Sequence, residues 1–380
     1  MEFDHNKIGR VVKEDRLSSL PDELIHNILS CLDMKFAVQT CLLSSRWKLL
    51  WTSMPCLNFT SWQFTSLPKF SKFVNHVLSH HNHQVEVSTV KLHFTGAASQ
   101  VFVRKIVKYA FSHKVQQLTV YGSAKYRLTN YPPCLFSSHS LKHLTLTAQH
   151  RPCITPKTPW DFPALTTLHL SDIILCEDDT EKSLDLFSKC VNLENLTLEL
   201  FSVGNVEVFD IITPRLSNLM LAHGNSCSAV INLIAPQLEK LTVISFSFKY
   251  LNAPPGLSSL LYWGRPPLQF CKDRFYSLNE VTICFNSFGS RYKEEDARKT
   301  MNLLQELHTA RYLTLNVDIV KCISSFPYLL SHHPSPFSNL ISLTIDYHLN
   351  RDAYGEEIST EARNFLLENS PSATLIMKSP

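Results

Sequence analysis

A six-residue pattern, apolar–x–x–apolar–x–apolar, recurs eleven times between residues 87 and 345, and no other feature constrains the fold as tightly. It reads VSTVKL (87–92), VQQLTV (115–120), LKHLTL (141–146), LTTLHL (165–170), LENLTL (193–198) and LSNLML (216–221). It continues as LEKLTV (238–243), LSSLLY (257–262), LNEVTI (278–283), ARYLTL (310–315) and LISLTI (340–345). The central apolar positions are Val90, Leu118, Leu144, Leu168, Leu196, Leu219, Leu241, Leu260, Val281, Leu313 and Leu343. Their spacings are 28, 26, 24, 28, 23, 22, 19, 21, 32 and 30 residues. The last two apolar residues of each unit alternate, which points both to one side of a strand. One unit cannot bury that side alone, whereas stacked neighbours make a continuous core. The residue between them is Thr119, Thr145, Thr197, Thr242, Thr282, Thr314 and Thr344 in seven units. A branched side chain suits an exposed pleated surface, so strand propensity accounts for these threonines without a binding role.

The pattern and its spacing are similar to leucine-rich repeats, which have periods of about 20–29 residues with one strand each. The resemblance implies an α/β fold: a small helical unit followed by an irregular solenoid, with a curved parallel sheet and outer helices and loops. Three intervening segments have helical spacing. Residues 68–81 carry Phe70, Phe73, Val74, Val77 and Leu78. Residues 100–113 carry Val103, Ile106, Val107, Ala110 and Phe111, and residues 292–308 carry Ala297, Met301, Leu304 and Leu307. Shorter connectors such as HGNSCSAVINLIAP (223–236) read as irregular. The tail, 359–380, reads as a helix and a terminal strand that cap the stack.

Residues 15–59 pack three short helical patterns into a small unit. Pro21 suits a first helical position, where its missing N–H costs nothing. Asp22 and Glu23 follow, where the helix dipole favours negative charge. Leu24, Ile25, Ile28, Leu29 and Leu32 form an apolar stripe. Asp33 is placed to cap a second helix carrying Met34, Ala37, Val38, Cys41 and Leu42. Ser44 is placed to cap a third, RWKLLW, with Trp47, Leu50 and Trp51. A unit this small has apolar surface to spare and needs something to cover it. The pattern alone leaves open whether that is a partner or the rest of this chain.

LSSLPDELIHNILSCL followed by AVQTCLLSSRWKLLW resembles the F-box of plant F-box proteins over about 45 residues. The match includes Leu20–Pro21, Ile28–Leu29–Ser30 and Arg46–Trp47, and departs where relatives often have serine (Cys41) and a basic residue (Ser45). The lead-in and ending resemble the leucine-rich-repeat subgroup, and the tail resembles the start of the FBD segment that ends many of its members. The resemblance implies a substrate-recognition subunit of a Skp–cullin–F-box ubiquitin ligase. It implies a Skp-type adaptor, and through it a cullin, as partner, contacted by Leu20, Pro21, Ile28, Leu32, Val38, Leu42 and Trp47. It also implies an unknown protein substrate on the repeats, no catalysis on this chain, and no cofactor. The expected division is a tail at 1–14, the F-box at 15–60, repeats at 61–339 and a terminal repeat or cap at 340–380. Expected concave-face residues are His143, His169, Asn195, Asn218, Lys240 and Tyr312, chosen by position as candidate substrate contacts. Two alternatives share this architecture: a small-molecule receptor, and a scaffold whose F-box is degenerate.

Composition excludes other classes. A net charge of +3 is too mild for a nucleic-acid binder, and no dense Lys/Arg stretch is interleaved with aromatics. The first twenty residues are charged throughout, unlike a signal peptide, and no run of eighteen apolar residues would span a membrane. A cytosolic or nuclear protein is expected. Eleven scattered cysteines, never spaced CxxC, read as reduced thiols. Nine glycines, no two closer than the eight residues between Gly256 and Gly264, rule out the dinucleotide fingerprint, the phosphate loop and the hydrolase elbow. His80, His81 and His83, like His332 and His333, lack nearby carboxylates or thiolates and read as solvated. Glu177, Asp178, Asp179 and Glu181 read as a solvated loop that could meet a basic degron.

Overall fold

The computed structural model describes residues 19–96, 100–123, 131–148, 159–175, 182–204, 206–225, 229–264, 270, 275–286, 292–348 and 358–378. The acidic loop at 176–181 and the tail at 1–14 lie outside these residues. The helices are α1 Asp22–Ser30, α2 Met34–Gln39, α3 Leu67–His80, α4 Gln100–Ser112, α5 Glu294–Glu306, α6 Val317–Ser324, α7 Pro327–Leu330 and α8 Thr360–Leu367. Strands β1 to β7 are Cys56–Thr60, Thr89–Thr95, Gln117–Ser123, His143–Ala148, Thr167–Ser171, Ser183–Asp185 and Asn195–Glu199. Strands β8 to β12 are Val208–Ile212, Asn218–Ala222, Val230–Ile234, Lys240–Ile244 and Tyr250–Asn252. Strands β13 to β17 are Ser259–Gly264, Glu280–Phe285, Tyr312–Asn316, Ser342–Asp346 and Thr374–Lys378.

Thirteen strands form one parallel sheet in the order β1-β2-β3-β4-β5-β7-β9-β11-β13-β14-β15-β16-β17. All eleven sequence units lie in it, in register. Val90 pairs with Leu118, Leu118 with Leu144, Leu144 with Leu168, and Leu168 with Leu196. The ladder runs on through Leu219, Leu241, Leu260, Val281, Leu313 and Leu343. Each of these side chains is buried, and each contributes about 1.5–3 kcal/mol relative to exposure.

Two strands extend the series. β17 is the expected terminal strand, paired on β16 through Leu343 and Leu375. β1 is a correction: the expected helical unit ends in a strand, CLNFT, and Leu57 pairs with Val90. Its alternation, with Leu57 and Phe59 buried and Cys56, Asn58 and Thr60 half-buried, is the period of a strand. The helical unit therefore shares its core with the first repeat instead of hanging from it.

The outer side of the stack differs from the expectation of helices and irregular loops. Helices α3, α4 and α5 form where expected, but β6, β8, β10 and β12 form a second parallel sheet in the order β12-β10-β8-β6. The connector expected to be irregular, 223–236, contains β10. Its Ala229, Ile231, Leu233 and Ala235 are buried at period two. Loop length accounts for β8, β10 and β12, though not for β6, which lies in the 28-residue interval from Leu168 to Leu196. Helices sit in the long intervals, such as 28 residues from Val90 to Leu118 and 32 from Val281 to Leu313. Intervals of 23, 22 and 19 residues after Leu196 leave too little chain for a helix at about 1.5 Å per residue, whereas a strand covers about 3.3 Å per residue.

Asp172, Leu200, His223 and Ser245 immediately follow β5, β7, β9 and β11, and all have positive φ, from 46° to 57°. Each turns the chain from the main sheet toward the outer side. The amides of Asp172, Leu200 and His223 donate to the last carbonyl of the next main-sheet strand, at 2.9, 2.9 and 2.7 Å. Such a backbone costs a non-glycine residue roughly 1–2 kcal/mol, a cost met here by a corner hydrogen bond repeated from turn to turn.

Candidate functional site: two surfaces

The helical unit is built as its local sequence dictates. Asp33 caps α2, its Oδ1 accepting from Lys35 N at 2.9 Å. Replacing Asp33 by alanine is expected to destabilise this unit by about 1 kcal/mol, measurable by urea denaturation followed through the nearby tryptophans. Pro21 stands one residue before the helix proper. Its carbonyl accepts from Leu24 N and Ile25 N, both at 3.1 Å. Arg46 Nη2 ties the third helical turn back to α1 through Asp22 Oδ1 at 2.7 Å. That third segment is a 3₁₀ helix, Trp47–Ser53, and the residue that precedes it is Arg46.

The expected adaptor contacts divide into three groups. Pro21, Ile28 and Leu42 are exposed, Leu42 to 84%. Leu20, Leu32 and Val38 are half-buried against the core. Trp47 is only 3% exposed and is a core residue, a correction to its expected place among the contacts. Trp47 and Trp51 both fold inward, joining Ile25, Leu29, Met34, Ala37 and Met54. The stripe on α1 splits likewise: Ile25 and Leu29 point in, whereas Leu24 and Ile28 are 48% and 43% exposed. Phe36, Leu43 and Leu49 are also exposed, and were absent from the expected contacts. A helix apolar on two sides was the available signal, because one face suffices for a helix packed on a single core.

The second surface is the exposed face of the main sheet. His143, Asn195, Asn218, Lys240 and Tyr312 occupy one row, each just before the buried ladder. His169 lies one row further along, in line with Thr145 and Thr197. All six share one face, since positions two apart along a strand point the same way. Asn218 Nδ2 donates to Asn195 Oδ1 at 2.8 Å, and His169 Nε2 lies 3.8 Å from Glu199 Oε2. The structure adds an apolar stretch. Met220 and Leu261 stand in the threonine row on either side of Thr242, and Ile244 pairs with Trp263 in the next row. All four are half-buried. The units LSNLML and LSSLLY already carried Met and Leu where most others have threonine.

The chemistry of the remaining groups is quiet. Burial pushes the thiols of Cys190 and Cys322 up to about 12 and that of Cys284 up to about 11. Reactive cysteines need the opposite shift. His80 and His83 are exposed as expected, and His332 bonds back to Tyr328 O at 2.6 Å. His81 is a correction: it is buried, not solvated. Among the described residues, no group of three His, Cys, Asp or Glu side chains is placed to hold a metal ion, and no helix is long and apolar enough to cross a membrane.

A solenoid whose repeats each give one strand to a common parallel sheet, joined at its N-terminal end to a small helical unit with exposed apolar side chains, defines the class of protein. Residues 17–59 match the model of the F-box domain, and residues 103–253 match the model described as the leucine-rich repeats of the FBD-associated F-box protein At5g56370. The provisionally named F-box/FBD/LRR-repeat protein At4g03220 of Arabidopsis thaliana is 28% identical over 365 residues, 90% of this chain and 70% of its own length. The F-box/FBD/LRR-repeat protein At5g56420 of the same plant is 32% identical over 54% of this chain and 49% of its own length. The F-box/LRR-repeat protein At3g26922, also from Arabidopsis thaliana, is 31% identical over 63% of this chain and 78% of its own length. This chain belongs to the F-box/leucine-rich-repeat family.

Proposed function

We propose that this chain is the substrate-recognition subunit of a Skp–cullin–F-box ubiquitin ligase and works without catalysis or cofactor. The observation that carries the reading is the concentration of exposed apolar side chains on the F-box unit: Leu24, Ile28, Phe36, Leu42, Leu43 and Leu49 are exposed on a segment of about forty residues. A surface of that kind is an interaction site, because scattered single apolar residues are ordinary but a concentration of them is not. The partner that fits is a Skp-type adaptor, bridging to a cullin. Pro21, Ile28 and Leu42 are the direct contacts, Leu20, Leu32 and Val38 support the edge, and Trp47 holds the unit's shape from inside.

The mechanism is proximity. The adaptor fixes one end of the chain to the ligase, and a protein held on the sheet face gains a high effective concentration at the transfer site. His143, His169, Asn195, Asn218, Lys240 and Tyr312 are the polar contacts on that face, with Met220, Ile244, Leu261 and Trp263 as apolar anchors. The protein works in the cytosol or nucleus. The test is co-purification of a Skp-type adaptor with the wild-type chain and with a Leu20→Ala/Pro21→Ala variant. Binding by the wild type that the variant loses supports the reading; no binding by a folded wild type overturns it. On the sheet face, Leu261→Asp with Trp263→Asp is expected to abolish substrate capture while leaving adaptor binding intact, which two-step co-precipitation would read.

A further inference from the structure

His81 closes the C-terminal end of α3 and is 2% exposed, with both ring nitrogens engaged. Nε2 lies 2.9 Å from the Met54 carbonyl; a carbonyl only accepts, so Nε2 carries the proton. Nδ1 is then bare and accepts from the Tyr109 hydroxyl at 2.8 Å. One turn further along α4, His113 Nδ1 donates to the Tyr109 carbonyl at 2.8 Å, which leaves His113 Nε2 as an acceptor. His83 Nδ1 is 3.1 Å from that atom and donates to it. Every one of these bonds is satisfied with three neutral imidazoles in one tautomer each. The backbone runs in parallel: Asn82 N donates to Thr52 O at 2.8 Å. The network thus joins the carbonyls that end the 3₁₀ helix of the F-box unit to the end of α4 in the first repeat.

We propose that His81, Tyr109, His113 and His83 form a proton-sensitive latch that seats the end of the F-box unit on the first repeat, closed while His81 is neutral and loosened when acid protonates it. A proton on His81 Nδ1 turns an acceptor into a second donor facing the Tyr109 hydroxyl, in a buried site. Burial is the main cause holding this histidine below its ordinary range; His113 and His83 add to it, and the Met54 carbonyl opposes it. No carboxylate is among the groups acting on it. Lys48 of the 3₁₀ helix, Lys72, His76 and His80 of α3, Lys105 and Lys108 of α4, and Glu86 of the connecting loop are all exposed. His76 and His80 are occupied with each other, their rings 4.1 Å apart.

The folded value lies below the unfolded one of about 6.5, so the unfolded chain binds more protons between the two. The latch is fully closed above about pH 6.5 and is lost as pH falls through the folded value.

The test is hydrogen exchange by mass spectrometry on the full chain at pH 5.5 and 7.5, corrected for intrinsic rates. Protection in segments 47–55 and 80–88 is expected to fall by up to roughly tenfold per pH unit between about pH 6.5 and the folded value and to level off below it, while strands β7 to β11 keep theirs. His81→Gln is expected to flatten that response. Tyr109→Phe, which keeps the ring but removes the donor to Nδ1, is expected to move the transition to higher pH. Equal protection at both pH values, an equal loss in every segment, or an unchanged pH response in both variants would overturn the latch.

Discussion

Leu219→Ala is expected to destabilise the solenoid by about 3 kcal/mol, within the range of about 2–5 for truncating a buried leucine. Leu219 is 2% exposed in β9 and lies in register between Leu196 of β7 and Leu241 of β11. The strands on either side are held by their own register and cannot both close on the space left by the lost methyls, so the cavity persists. Because each repeat touches only its neighbours, the damage is local. Urea denaturation by circular dichroism should show a lower midpoint and a broader transition as the weakened repeat opens first. The control is Thr242→Ala, next to the buried ladder residue Leu241 and so on the opposite, half-buried face; its cost is expected to stay below about 1 kcal/mol. Similar losses from both would mean that the two faces of the sheet are not distinguished as described.

Ile28→Asp together with Leu42→Asp is expected to weaken adaptor binding at least about 100-fold, close to 3 kcal/mol, a modest sum for two interface anchors. Both side chains stand outside the core, so the melting temperature should stay within a degree or two of wild type. Trp47→Ala should also lose binding, but for a different reason. Its ring is buried with Trp51 and Met54, and truncating a buried aromatic residue costs about 3–5 kcal/mol. Calorimetric titration with a Skp-type adaptor, run beside thermal melts of the same three proteins, separates the cases. Wild-type affinity in the Ile28/Leu42 variant would remove this face from the interface. Loss of binding by Trp47→Ala without loss of stability would return Trp47 to the contact set.

The two surfaces were legible to different degrees. The buried ladder could be read residue by residue, because the apolar alternation that a strand needs is local and was written eleven times. Helices α3, α4 and α5 were legible for the same reason, and each sits in or beside a long interval. β1 was missed because CLNFT follows three helical patterns without a break and its partner, β2, begins at Thr89. The second sheet was missed although Ala229, Ile231, Leu233 and Ala235 alternate. Flanking polar and proline residues made the segment look like a loop, and its pairing partners lie about 20 residues away in each direction.

Which half of a wide apolar stripe on a helix faces the core is not local information. Ile25 and Ile28 are chemically alike and three residues apart, yet one is in the core and the other in solvent. Trp47 carried every mark of a contact residue in its motif, and packing placed it inside. His81 shows the same limit. Its neighbours His80 and His83 are exposed as their composition suggested, but α4 and the Met54 carbonyl close over His81 from sites 27 and 28 residues away. What the sequence by itself determined is therefore the repeat, its register and the family, since these rest on periodicity within a strand or a short motif. Which residues of the helical unit face outward, where the outer sheet replaces helices, and the histidine relay at the junction were decided only by tertiary packing. Each of these depends on which distant segment arrives to bury a group or to satisfy its hydrogen bonds.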